Sequence, residues 1–311
     1  MMTIYDKIKW RIKLLWGSLP NMIKAILYEP KKHPWFLFFD RLLLSSEKFS
    51  SIRPKHIKSF IKPINNDNSK VLADFGIIKI VTESNNEALA VLAWEYFDLI
   101  YPYRVKFPIW GIMREGPYEY GPVSLMPGDV VIDAGANLGL FSIFAAKKIG
   151  KSGVVYAFEP VKKICNFLQE SIDINNVSDN VYIIQSALGD KNGNLTLSCG
   201  HISSSSGAIH RSDKEIIVSQ TTLDDFVFQK KLNKVDFIKM DIEGMERNAL
   251  KGAQKTIAKF KPKLAICTYH LPDDPQVLPQ IIQEAAPDYK IIQKKMKLYA
   301  YYPNNSKPSK K

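Results

Sequence analysis

The stretch VVIDAGANLGLFSIFAAKKIG, Val130 to Gly150, decides the fold. It opens on the apolar, β-branched run of a buried strand and passes through a turn with glycines at 135 and 139. It then continues as LGLFSIFAAKKIG, which reads as a helix stopped by Gly150. Strand, glycine turn and helix in this order form the start of a βαβ unit, where backbone comes close to a ligand. One residue disturbs a phosphate-cradling interpretation. Asp133 places a carboxylate in the turn, where it would repel a pyrophosphate. The glycine spacing also differs from G-x-G-x-x-G.

Outward from this unit, short β-rich runs alternate with helical stretches. GVVYAFEP is the second strand, followed by a helix over VKKICNFLQESIDINN with Pro160 at its first turn. NVYIIQSALG is the third strand. GNLTLSC and EIIVSQTTL read as a hairpin around the serine-rich loop GHISSSSGAIHRSDK. VDFIKMDIEG is a strand, MERNALKGAQKTIAKF a helix, KPKLAICTYH a strand and DPQVLPQIIQEAA a helix, and the chain closes with YKIIQKKMKLYAYYP. Such alternation predicts an α/β fold, a mostly parallel sheet with helices on both faces.

In open parallel sheets the ligand crevice lies outside the carboxyl ends of the strands. The polar residues ending the strands are Asp133, Glu159, Ser186, Asp241 and His270. Glu159 ends the strand after the glycine turn, where an acid accepts hydrogen bonds from ribose hydroxyls. S-adenosylmethionine (SAM) carries a ribose and no phosphate, with a cationic ammonium and sulfonium beside a carboxylate. Asp133 suits the ammonium, directly or through water. The helix N-terminus near Asn137 to Gly139 suits the carboxylate. In the competing interpretation Asp133 only caps a turn of an α/β domain.

Here the residues reach a resemblance. VVIDAGANLGLFSIFAA, AFEP, SALGDKNGNLTL, TTLDDF, VDFIKMDIEGMERNALKGA and KLAICTYH together resemble the FkbM-type family of SAM-dependent methyltransferases. The likeness runs from about Glu115 to Tyr302, and KMDIEGME is its most specific block. It implies a class I methyltransferase (Rossmann-like) sheet of seven strands, the last antiparallel, and SAM as cofactor. It also implies transfer to oxygen in many members, often on sugars or natural-product hydroxyls. Asp133, Gly135, Asn137 and Gly139 match the family's SAM turn, Glu159 its ribose acid, and Ser186 and Ala187 the region flanking the adenine. Asp241 and Glu243 match the acidic block closing the fourth strand, whereas His270 departs from members that carry an acid there.

An alcohol acceptor must shed its proton, so a base is expected. His270 is the expected base, with Asp241 and Glu243 positioning the acceptor. Either acid is also suited to orient the histidine, accept the proton, or bind a divalent cation, although no metal is assigned on sequence grounds. The plainer alternatives are a strand-end histidine satisfied by a backbone carbonyl, and helix-dipole complementation by Glu243 and Glu246. His201 to Lys214 is a lid over the acceptor or a solvated loop.

Residues 1–110 are expected to be a mainly helical extension, 111–303 the catalytic domain, and 304–311 a disordered basic tail. TIYDKIKWRIKLLWGSLPNMIKAIL places Ile4, Ile8, Ile12, Leu15 and Trp16 on one stripe with its lysines largely off it. HPWFLFFDRLLLSSEKF and Asn86 to Ile100 are further apolar helical segments, and Ile52 to Lys70 reads as a loop or linker. The basic stripe fits an anionic membrane surface, or packing on the catalytic domain or a second copy in a homo-oligomer.

The 311-residue chain has a net charge of +12, spread along its length rather than clustered with aromatics. That distribution argues against a nucleic-acid platform. The asparagine-proline-proline-aromatic motif used on flipped bases is also missing from the sequence. No apolar run reaches the roughly 18 residues of a spanning helix. Three scattered cysteines and no secretory cleavage site point to a cytoplasmic, optionally membrane-peripheral, protein. The expected partner is a small-molecule or glycan substrate. Methylation of a lipid, protein side chain or nitrogen, or a non-catalytic SAM-binding module, are the alternatives.

Overall fold

The structure, a computed structural model, describes residues 61–65, 70–83, 92, 117–198 and 215–303. In chain order its strands are β1 (Ile61–Pro63), β2 (Lys70–Asp74), β3 (Lys79–Glu83), β4 (Val130–Ala134), β5 (Val154–Phe158), β6 (Val181–Ile184) and β7 (Ala187–Leu188). They continue with β8 (Gly193–Ser198), β9 (Glu215–Thr221), β10 (Phe237–Met240), β11 (Lys263–Cys267), β12 (Lys290–Lys294) and β13 (Lys297–Tyr301). The helices are α1 (Leu140–Ile149), α2 (Lys162–Ile174), α3 (Leu223–Gln229), α4 (Glu246–Lys251), α5 (Gln254–Phe260) and α6 (Asp274–Ala285).

Seven strands form the central sheet in the order β12-β13-β11-β10-β4-β5-β6. β10 pairs parallel with β4 and β11, and β4, β5 and β6 continue in parallel. β13 runs antiparallel to both its neighbours, as the resemblance implied. β4 lies next to the middle strand, β10; the chain runs outward from β4 through β5 and β6 and then crosses back to β10 on its other side. That reversal opens a crevice above the carboxyl ends of β4 and β10.

Strand alternation divides the core into two layers. Val131, Val155, Ala157 and Phe237 face Phe141 and Ile143 of α1 and Ile164 and Leu168 of α2. Ile132, Ala134, Ile238, Met240, Leu264 and Ile266 face Leu223, Phe226, Leu250, Ile257 and Leu278 on α3 to α6. Helices therefore cover both faces, as the sequence pattern predicted.

Several local expectations are corrected. The linker expected over Ile52 to Lys70 contains β1, which pairs antiparallel with β2, while β2 pairs with β3. This small sheet has apolar partners that sequence spacing does not reveal. Val71, Ile80 and Val81 join the same core layer as Ile164 and Leu168 of α2, and Val81 N donates to Ser171 Oγ at 2.9 Å. The single helix expected over Met245 to Phe260 is two, α4 and α5, parted at Gly252. A side chain at Gly252 would meet the Gly189 carbonyl oxygen at 2.0 Å, so the break accommodates a backbone crossing. The third strand stops at Ile184; Ser186 N donates to Ile184 O at 2.7 Å, and the chain turns into β7. β7 belongs to a separate three-stranded sheet, order β7-β9-β8, in which β8 and β9 are the expected hairpin. Pro160 falls ahead of the N-cap Val161, outside the first turn of α2.

The apolar stripe at residues 4–16, the patch at 33–49, the serine-rich loop and the basic tail lie outside the described residues. Leu92, within the third expected helix, is helical and buried. Among the described residues no helix is long and apolar enough to cross a membrane.

Candidate active site

Because β4, β5, β6, β10 and β11 are parallel, Asp133, Glu159, Ser186, Asp241 and His270 all come to one edge. The glycine turn is shaped from inside the protein. Gly135 has φ 78°, and a Cβ there would lie 2.0 Å from the Asp241 carbonyl oxygen. Gly139, at φ 93°, caps α1 and would clash with Leu168 of α2 at 2.3 Å. The turn thus brings the ends of β4 and β10 together and seats α1 on α2. Asn137 adopts φ 50° between these glycines, a conformation asparagine tolerates.

Asp133 is fully buried. Its Oδ2 accepts from Ser142 Oγ at 2.6 Å, and its Oδ1 lies 2.9 Å from Lys239 Nζ. Lys239 also donates to the carbonyls of Ala134 at 3.2 Å and Gly135 at 2.6 Å. Burial works against the ammonium, but Asp133 and Asp241 outweigh it and hold the Lys239 pKa above its ordinary value. The acid that looked out of place in the turn therefore has an internal counter-charge, which ties β4 to β10. Lys239 was missed by sequence reading. Its signal was a lysine in the otherwise apolar strand VDFIKM, where a charge needs a buried partner.

Glu159 spans the lip of the turn. Its Oε2 accepts from Asn137 N at 3.1 Å and its Oε1 from Val161 N at 2.9 Å. Burial pushes its carboxyl up to about 7, against the opposing pull of those two amides. Ser186 Oγ donates to the carbonyls of Ala187 at 3.1 Å or Ser219 at 3.2 Å, and Ala187 pairs with Gln220 of β9. These two residues anchor the β7-β9-β8 sheet beside the edge.

On the other side of β4, Asp241 Oδ2 accepts from Tyr118 at 2.6 Å and Oδ1 from Tyr269 at 3.1 Å. Burial alone would raise the Asp241 pKa; Lys239, Lys297 and the Tyr118 hydroxyl reverse this and hold it below the usual range. The His270 side chain, 8% exposed, lies within reach of three carboxylates. Nδ1 is 2.9 Å from Glu246 Oε1; Nε2 is 3.4 Å from Glu243 Oε2 and 3.7 Å from Asp241 Oδ1. Burial lowers the imidazole pKa, but Glu243, Glu246 and Asp241 together lift it to about 10. Glu246 is also held by the amides of Ile242 at 2.8 Å and Gly244 at 3.0 Å, so it closes the turn into α4 as well as flanking the histidine. Glu243 has φ 57° and a side chain 35% exposed, so its carboxylate reaches His270 while staying the most solvent-accessible of the three. Tyr118, Tyr269 and Glu246 were not read as site residues. Tyr118 arrives from a segment ahead of β4, so only the tertiary fold reveals it.

A seven-stranded sheet with this order, an antiparallel last strand and a glycine turn after β4 defines a class I methyltransferase-like fold. The chain belongs to the Methyltransferase FkbM domain family, which matches residues 133–297. Methyltransferase 1 of Beauveria bassiana (strain ARSEF 2860) is 27% identical, covering 43% of this chain and 61% of that one. Methyltransferase sdnD of Sordaria araneosa is 24% identical, covering 44% and 64%. The chain thus spans about three fifths of the length of these curated relatives. Among solved structures, an FkbM methyltransferase from Methylobacillus flagellatus KT superposes with TM-score 0.46 at 21% identity, over 70% of this chain and 56% of that one. A SAM-dependent O-methyltransferase from Thermotoga maritima gives TM-score 0.37 at 14% identity, over 58% and 61%.

The family implies SAM as cofactor, and the residues present fit it. Glu159 offers carboxylate oxygens at the lip of the turn, as a ribose diol requires. α1 begins at Gly139 with no side-chain cap and no acidic residue in its first turn, which leaves its leading amides suited to a carboxylate.

Proposed function

We propose that the chain is a SAM-dependent methyltransferase acting on an acceptor hydroxyl, as in a sugar or glycan-like small molecule. The observation that carries this reading is the placement of two chemically different halves on one sheet edge. A glycine turn with Glu159 lies on one side of β4, and Asp241, Glu243 and His270 lie on the other. SAM, when bound, supplies a methyl group activated by a positive sulfur. Glu159, Asn137 and the start of α1 would hold it, with Ser186 and Ala187 flanking its adenine. Asp133 serves from within, holding Lys239 and the turn rather than turning toward the ligand.

The acceptor half does the proton work. His270, lifted to about 10 by its carboxylate neighbours, carries a positive charge at neutral pH and is a poor base in that state. Glu243 is the more exposed carboxylate and Asp241 the more firmly held one. Glu243 therefore suits the role of accepting the acceptor's proton, with His270 and Asp241 fixing its position. A hydroxyl must lose its proton as it is methylated, and a carboxylate placed as Glu243 is can accept it.

The test is incubation with methyl-labelled SAM and a fractionated lysate. Label in a hydroxyl-bearing small molecule or glycan, removed by acceptor-site substitution Glu243→Gln, is the expected outcome. Label confined to lipid, protein or a nitrogen base would redirect the acceptor class. Tight SAM binding with no label in any fraction would favour a binding module.

A further inference from the structure

We infer that Asp241, Glu243 and His270 form a binding site for one divalent cation of the Mn²⁺ or Zn²⁺ type, an inference that rests on reading this edge as the acceptor side of a methyl-transfer site. One ligating atom from each of the three residues lies within 4.8 Å of the other two. Two of them are on β10's trailing turn and the third follows β11, the adjacent parallel strand. His270 Nε2 stands 3.4 Å from Glu243 Oε2 and 3.7 Å from Asp241 Oδ1. Donors each about 2.1 Å from one ion stand about 3 to 3.5 Å from each other, so the existing spacing needs little adjustment.

A second observation is the state of the histidine ring. The His270 side chain is about nine-tenths buried, and neither ring nitrogen completes a hydrogen bond of good geometry although both face carboxylates. A divalent ion entering between these acids and Nε2 would displace the proton that the imidazolium carries there in its absence. Its other nitrogen, Nδ1, lies 2.9 Å from Glu246 Oε1, and Glu246 is itself pinned by two backbone amides. A carboxylate behind Nδ1 keeps the proton there and presents Nε2 as the ligand atom, the relay that orients metal-bound histidines. Asp241 has the same kind of outer support from Tyr118 and Tyr269. Two of the three ligands are thus braced from behind, and Glu243, the more exposed, leaves part of the coordination sphere for an acceptor.

Two carboxylates and one imidazole select the chemical class. Oxygen donors alone favour Mg²⁺ or Ca²⁺, whereas a nitrogen donor shifts preference to first-row ions. A cation held there with open positions would bind the acceptor oxygen and lower its pKa, easing the proton loss that methylation of an alcohol requires.

The experiment titrates the full chain, stripped with chelator and returned to buffer, with Mn²⁺ followed by electron paramagnetic resonance and with Zn²⁺ followed by calorimetry. SAM is titrated into the same preparation. At least one of the two ions is expected to bind at one per chain. Glu243→Gln and His270→Gln are each expected to weaken that binding tenfold or more, and Glu159→Gln to leave it unchanged. The Glu243 side chain is 35% exposed, so its variant is expected to fold even where the buried histidine variant does not; thermal melting checks this. Absence of a one-per-chain site for both ions, or binding undiminished in Glu243→Gln, overturns the inference. If the cation binds and SAM does not, the cation site stands and the methyl-transfer reading fails. If SAM binds and neither ion does, the inference alone fails.

Discussion

Lys239 decides how the turn tolerates Asp133. Both groups are buried, and each is the other's counter-charge at 2.9 Å. Removing one partner leaves an uncompensated charge, which costs about 3–5 kcal/mol in comparable buried pairs. Lys239→Met is therefore expected to lower the unfolding free energy by about that amount in urea titrations. Asp133→Asn/Lys239→Met should recover most of the loss. A single variant as stable as the parent chain would contradict the pairing. Glu159 makes a pH-dependent counterpart. Its folded pKa of about 7 lies above the ordinary 4.5, so the folded state holds the proton more tightly than the unfolded one. Its contribution favours folding below pH 4.5 and is lost as pH rises toward 7. Glu159→Gln should therefore gain stability relative to the parent chain across that window, with a constant difference above it. A pH-independent difference in denaturation midpoints would show that Glu159 is not perturbed.

At the level of elements, the turn between β4 and α1 is where conformation and packing demand the same residue. Gly135→Ala combines a left-handed backbone with a Cβ overlapping the Asp241 carbonyl. The loss should be roughly 3 kcal/mol, by adding the left-handed and overpacking costs. Gly128→Ala is the control, since Gly128 has φ 83° but a Cβ there would meet only Ser152 Oγ, at an ordinary 3.5 Å. It should cost only the conformational part, roughly 1–2 kcal/mol. Equal losses in thermal or urea unfolding would mean that the Asp241 approach is unimportant. This element was legible in sequence because strand, glycines and helix are local signals. α3 was not singled out, although Thr222 caps it by accepting from Asp225 N, a signal present in TTLDDF. The division between α4 and α5 was not legible at all, because it answers to Gly189, far away in the chain.

Across the whole molecule, the sheet gathers five polar strand ends that are distant in sequence onto one edge. That much followed from alternation and from the rule placing ligands at carboxyl ends. What escaped sequence reading was everything supplied by neighbours across the fold. Tyr118 reaches Asp241 from ahead of β4, Glu246 backs His270, and β1 to β3 complete the core beside α2. These contacts depend on tertiary packing, which hydrophobic periodicity does not encode. The central claim is that the turn and Glu159 together form a cofactor seat, and calorimetric titration of the full chain with SAM at pH 8 addresses it most directly. One SAM per chain is expected, displaced by its demethylated product, with affinity at least tenfold weaker in a folded Glu159→Ala chain. No saturable binding, or an affinity unchanged by Glu159→Ala, would contradict the assignment.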